Sequence, residues 1–310
     1  MARPATVRTT AEPFEVNGLG LHSNRACAVR VNPSGEGGIV FIHSPSSVAI
    51  PAKAEFVGDL SLATTLAKDG ARLQTVEHIL AALYGLGIDH ATVEVDGDEL
   101  PILDGSALPW VRAISEAGLR DLPEPKTYIK VLRPVQMQDG DKLMRATPLD
   151  SLMLNCTIDF PIPSIGRQSL ELDITPNKFR LELAPARTFC LKSEIDYMHS
   201  RGLALGGSLD NAVVYDSDGC LNENLRFDNE PVRHKMLDLV GDLALLGAPL
   251  LARIDAHAAG HAMHVAFVRK LIAETDAWVM VEAPPSSGRG PTIPARPLLR
   301  PGFAKGLTAV

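Results

Sequence analysis

The sequence predicts an α+β fold in two similar domains, each a β-sheet layered with helices. Three observations carry this. The chain has 310 residues, about twice an ordinary single domain. Each half runs through short strand-like segments, then helical ones, then a strand. Between the halves, Asp121-Leu122-Pro123-Glu124-Pro125-Lys126 places two prolines in six residues, which favours an extended linker. The boundaries that follow are 1–123 and 127–283, with a Pro-rich tail over 284–310 that has little helix or strand potential.

The elements are read in order. Ala26–Val31 and Gly38–His43 alternate and are rich in β-branched residues, so both are expected strands. Gln74–Leu86 places Val76, Ile79, Leu80 and Leu83 on one helical face, with Gly85 and Gly87 to end it. Ala91–Val95 is a strand, Asp104-Gly105-Ser106 a turn, and Leu108–Ala117 a helix stopped by Gly118. In the second half, Tyr128–Val131, Leu152–Asp159, Ser169–Ile174 and Val279–Glu282 read as strands. Lys192–His199 and Pro231–Leu246 read as helices, the latter with a proline suited to its first turn.

Composition narrows the class. Hydrophobic residues make up 45% and charged residues 22%, as in globular proteins. A net charge of -7 and a pI of about 5.7 argue against a broad nucleic-acid partner. Cys27, Cys156, Cys190 and Cys220 form no CxxC pair, so neither a zinc ribbon nor a disulfide scaffold is expected. Leu237–Ile254 is apolar but holds Asp238, Asp242 and Arg253, so it is a poor membrane span. Met1–Val16 lacks a signal-like apolar core. A soluble, cytoplasmic protein is expected.

Three clusters could carry chemistry. Glu77-His78 lies inside the first helix, where a metal-binding histidine beside a carboxylate base competes with an exposed polar pair. His234, Asp238 and Asp242 are spaced i, i+4, i+8 along one stripe. Histidine and carboxylate at i, i+4 can share a metal, and the bland alternative is a surface ion pair. His257, His261 and His264 could be a metal cluster of their own, or one working imidazole and two incidental ones. Together the pieces resemble the parts of a zinc amide hydrolase. Two histidines and an aspartate fill three positions and leave a fourth for water. Glu77 can act as base, and His261, with an acidic partner, can protonate the leaving amine. No HExxH is present, so the common zinc-peptidase motif is missing.

From about Arg8 to Glu282 the chain resembles the UDP-3-O-acyl-N-acetylglucosamine deacetylases, zinc amidases of lipid A biosynthesis. The carriers are Gly18-Leu19-Gly20-Leu21-His22-Ser23, Thr75-Val76-Glu77-His78, Asp104-Gly105-Ser106-Ala107, Ala186-Arg187-Thr188-Phe189, Ser200 to Ser208, Leu225-Arg226-Phe227, His234-Lys235-Met236-Leu237-Asp238 and Gly260-His261. Each is short, and their joint order is specific. The resemblance implies His78, His234 and Asp238 as zinc ligands, with Fe2+ as an alternative metal. It implies Glu77 as base, His261 as oxyanion-stabilising cation and acid, and Asp242 as its orienting partner. Thr188 would donate to the acetyl oxygen, and Lys235 and Phe189 would contact the substrate. The site would lie between the domains. An insert over Leu191–Leu209 would form an apolar acyl-chain passage, lined by Leu191, Ile195, Ala204 and Leu209, for which ordinary packing is the alternative.

Some positions depart from the pattern. Ala258 and Thr147 stand where lysines toward a diphosphate are expected, and Leu191 replaces an aromatic. His257 and His264 read as structural or surface histidines, and His22 has no derivable role. The expected partner is a UDP-linked acylated amino sugar, the expected state a monomer. A zinc amidase for another N-acyl substrate is the first rival. A non-catalytic lipid- or nucleotide-binding relative is the second, and the intact set of chemical residues argues against it.

Overall fold

Alternating apolar and polar residues build a first sheet whose buried face is Cys27, Val29, Val31, Phe41, Ile50, Val93 and Val95. The computed structural model describes residues 6–283. The first five residues and the expected Pro-rich tail lie outside them. The first sheet has five strands in the order Phe14–Leu19, Ala26–Pro33, Ala91–Val95, Ile39–His43 and Val48–Pro51. All neighbours are antiparallel except Ala91–Val95 with Ile39–His43, which are parallel. Helices α1 (Glu77–Leu86) and α2 (Leu108–Ala117) add Ile79, Leu80, Leu83, Trp110, Val111 and Ile114 to the same core.

The second half forms a seven-stranded sheet. Its central strand, Leu250–His257, pairs antiparallel with Lys142–Thr147 and parallel with both Leu152–Asp159 and Thr127–Val131. Val135–Asp139, Arg167–Asp173 and Trp278–Glu282 complete it. The helices are α3 (Pro176–Lys178), continued by a π-turn over Phe179–Leu183, then α4 (Lys192–Ser200), α5 (Glu230–Leu243) and α6 (His261–Ala273). Neither the strand Leu250–His257 nor α6 was among the expected elements. One apolar core runs through both halves, because α1 packs directly on α5.

Two expectations are corrected. The first helix starts at Glu77, not Gln74, because Thr75 sits at φ 61°, which a helix cannot use. The helix is also buried nearly all round rather than on one face, since it packs against both α5 and α2 within the shared core. The Asp121–Lys126 linker is extended but not free. Leu119–Pro125 is a strand paired with Thr6–Thr10, with an irregular register at the Pro125 end that suits prolines. Lys126 is buried, and its Nζ lies 2.8 Å from Asp89 and 3.0 Å from the Gly87 carbonyl. Among the described residues, no helix is long and apolar enough to cross a membrane.

Candidate metal and catalytic centre

The site forms where α1, α5 and α6 meet. Burial is the first constraint: Glu77, His78, His234, Asp238, Asp242 and His261 are all under a tenth exposed. Close approach of the helices is the second. Gly241 on α5 faces the Glu77 backbone so tightly that an added Cβ would overlap the Glu77 carbonyl. With no side chain there, α5 presents His234 and Asp238 to His78.

His234 Nε2 lies 3.2 Å from Asp238 Oδ1, and His78 Nε2 lies 3.9 Å from the same oxygen. The two rings meet edge to face with centroids 5.1 Å apart. His234 Nδ1 must donate to the Ala186 carbonyl at 3.0 Å, since a carbonyl only accepts. Its Nε2 therefore carries a lone pair into the cluster. Burial pushes the His78 imidazole down to about 3, with His234 adding to the effect. Burial also lowers His234, against the pull of Asp238. Both rings are neutral near pH 7. Burial alone would raise Asp238, but His234, Lys235, His261 and His78 outweigh it and hold the carboxyl well below the usual range. Asp238 Oδ1 is buried and makes no hydrogen bond. Two imidazole nitrogens and one carboxylate oxygen thus converge with no hydrogen bond to that oxygen, an arrangement that a divalent cation relieves. The residues present fit a metal ion of the zinc type.

A second cluster adjoins the first. Asp242 Oδ2 accepts from His261 Nδ1 and from His264 Nδ1, each at 2.8 Å. Its Oδ1 accepts from Thr64 Oγ1 at 2.6 Å. Thr64 also gives its backbone N–H to Glu77 Oε2 at 3.0 Å, so it joins the two carboxylates. Burial would lower the His261 imidazole, but Asp242, with support from Asp238 and Glu77, outweighs this and pushes it up to about 9. Burial would raise Asp242, but the same imidazole, with His264, holds it down to about 2. Burial pushes Glu77 up to about 7, with His261 opposing and Asp238 and Asp242 adding to it. An acid and a base, pushed apart by their environments, share one pocket.

The remaining expected residues divide. Lys235 Nζ is 2.8 Å from Asp238 Oδ2 and 5.8 Å from the centre of the Phe189 ring. Thr188 is half-buried two residues beyond Ala186, and its N–H donates to the Gly105 carbonyl at 2.7 Å. Leu191 ends the short strand Phe189–Leu191, Ile195 is on α4, and both are half-buried. Ala204 takes φ 54°, and Leu209 is 49% exposed. These four do not form one closed core. His257, at the end of its strand, stands outside both metal-sized clusters.

Two further residues join the second cluster. His264 is 2% exposed, not a surface histidine. Its place three residues after His261 would have marked it, had α6 been recognised as a helix. Thr64, with Ala63 and Thr65, precedes the Glu77 helix and on that ground alone is expected to line the site; its bonds to both carboxylates are set by the fold and not by local periodicity. His22 is buried as well, with Nδ1 accepting from the Ala204 N–H at 3.3 Å and the backbone N–H donating to Glu99 at 2.7 Å. A cleft of about 1070 Å³ lies at the far end of α1 around Tyr84, Gly87 and Lys126, and none of the clustered groups lines it.

Comparison with known proteins places this geometry in context. Residues 7–273 match the family model described as UDP-3-O-acyl N-acetylglycosamine deacetylase. A UDP-3-O-acyl-N-acetylglucosamine deacetylase from Anaeromyxobacter dehalogenans (strain 2CP-C) is 46% identical over 269 residues, 86% of this chain and 87% of the relative. Proteins of the same description from Myxococcus xanthus (strain DK1622) and Nautilia profundicola are 43% and 40% identical. They cover 89% and 86% of this chain, and 89% and 92% of their own lengths.

Proposed function

The chain belongs to the UDP-3-O-acyl N-acetylglycosamine deacetylase family, and from that premise we propose that the α1–α5–α6 cluster is its active centre. The activity is hydrolysis of the N-acetyl group of UDP-3-O-acyl-N-acetylglucosamine, a step of lipid A biosynthesis, giving acetate and the free amine. The supporting observation is the buried convergence of His78, His234 and Asp238, whose Oδ1 accepts no hydrogen bond.

His78, His234 and Asp238 hold the metal, which we take to be zinc. When bound it supplies a Lewis acid toward a carbonyl and a water. The chain's own groups do the rest. Glu77, fixed by the Thr64 N–H, accepts the proton of the attacking water. A C–O bond forms at the acetyl carbon, and the oxyanion is met by the His261 imidazolium and the Thr188 hydroxyl. His261 keeps Nδ1–H on Asp242 and gives the Nε2 proton to the leaving nitrogen as the C–N bond breaks. Lys235, half-buried beside Phe189, faces the anionic part of the substrate. Leu191, Ile195, Ala204 and Leu209 serve the acyl chain. The working units are 1–123 and 127–283, acting as a monomer in the cytoplasm.

Metal content and acetate release, measured together on wild type and Glu77→Gln, test this. One metal per chain is expected in both proteins. Turnover is expected to drop by about 10²–10⁴ only in the variant, the usual worth of a general base. A metal-loaded wild type that releases no acetate would overturn the reading.

A further inference from the structure

We infer that His264 is a positioning residue for the deacetylation: it fixes the Asp242 carboxylate, and through it the plane of the His261 imidazole. The inference rests on the active-centre reading above and deepens it.

Asp242 is fully buried, and a carboxylate offers about four lone-pair sites. Three are taken here. His261 and His264 both donate from Nδ1 to Oδ2, and the Thr64 hydroxyl donates to Oδ1. Both histidines come from one helical turn. His261 opens α6, and His264 follows three residues on, with its N–H on the Gly260 carbonyl. Their ring centres are 6.0 Å apart at 77°, so each approaches Oδ2 from its own direction. Two rigid rings and one hydroxyl leave the carboxylate a single orientation.

Removing His264 frees one lone pair of Oδ2 on a fully buried carboxylate. The carboxylate can then turn to offer both oxygens to His261 Nδ1. The imidazole follows it, and its Nε2 edge moves. That edge lies 3.8 Å from Asp238 Oδ2, on the side where the leaving nitrogen is protonated. The His264 ring bonds Asp242 and meets the His261 ring edge to face, so its effect is on orientation and not on metal binding.

The test compares wild type with His264→Leu and His264→Asn. Leucine fills the space without a donor. Asparagine presents an amide N–H near the position of Nδ1–H. Steady-state acetate release, metal content and the low-field imidazole N–H signals in the proton NMR spectrum are read on each. The expected result is a kcat about 10–100-fold lower in His264→Leu, the range seen when an outer supporting hydrogen bond is lost. KM should change by less than about threefold and metal should stay at one per chain. His264→Asn should recover kcat to within about fivefold of wild type. Turnover in His264→Leu equal to wild type, or no recovery in His264→Asn, would overturn the inference. If His264→Leu does not fold, His264→Ala takes its place under the same criteria. The NMR signals separate this inference from the activity reading. If wild type releases no acetate, the deacetylase reading fails by itself. The positioning claim then stands or falls on whether the His261 N–H signal moves when His264 is replaced.

Discussion

Asp242 shows how one side chain can set the state of another. Its carboxyl stays ionised although buried, and its charge outweighs the burial that would otherwise neutralise His261. His261 is therefore protonated, and able to give a proton, up to about pH 9. Activity should fall as pH rises through that value. In Asp242→Asn the raising charge is gone and burial is left to act, so the imidazole pKa drops. The basic limb of kcat/KM should move to lower pH, and a pH–rate profile with an unmoved limb would contradict the pairing. Thr64 gives a second prediction. Thr64→Val keeps the shape but removes the donor to Asp242 Oδ1. The uncompensated buried oxygen should cost about 1–3 kcal/mol, read as a lower stability in urea unfolding.

Helix contacts decide whether the residues meet. Asp238 and Asp242 are one turn apart on α5, yet Asp238 turns to His78 on α1 and Asp242 to His261 on α6. The helix works on two neighbours at once. Gly241 sits between those aspartates and against the α1 backbone. Gly241→Ala should push α5 off α1, widen the gap between His78 and the His234–Asp238 pair, and destabilise by about 1–3 kcal/mol, as overpacking does. Metal titration should show a weaker site along with the lower melting point. Unchanged metal affinity would mean that the contact does not set the ligand spacing. Thr75, a β-branched residue at φ 61° just before α1, is strain placed at the entrance to the same site.

The molecule as a whole is held by a core that ignores the boundary between its halves. Lys126 adds a buried ionic latch at the far end of α1, with Asp89 as its partner and the Gly87 carbonyl as a second acceptor. Lys126→Met leaves the Asp89 charge without its cation. A loss of about 3 kcal/mol is expected, measured by urea denaturation at neutral pH. A change below 0.5 kcal/mol, roughly the scale of exposed pairs, would show the latch to be solvated.

The sequence by itself carried the chemistry that local pattern can carry. His234 and Asp238 are one helical turn apart, Glu77 and His78 are adjacent, a glycine stop located the end of α2, and Pro231 located the start of α5. Short ordered motifs named the family. The spacing could not say that Thr64 reaches Asp242 across 178 positions, or that His264 is an inward partner and not a surface residue. Nor could it show that the 119–125 segment is a paired strand. Those facts depend on which surfaces pack together. Local backbone preference fixes which residues share a helix face. Only the packing of α5 against both α1 and α6 fixes which faces meet, and the lone pairs, donors and charges that meet there make the site.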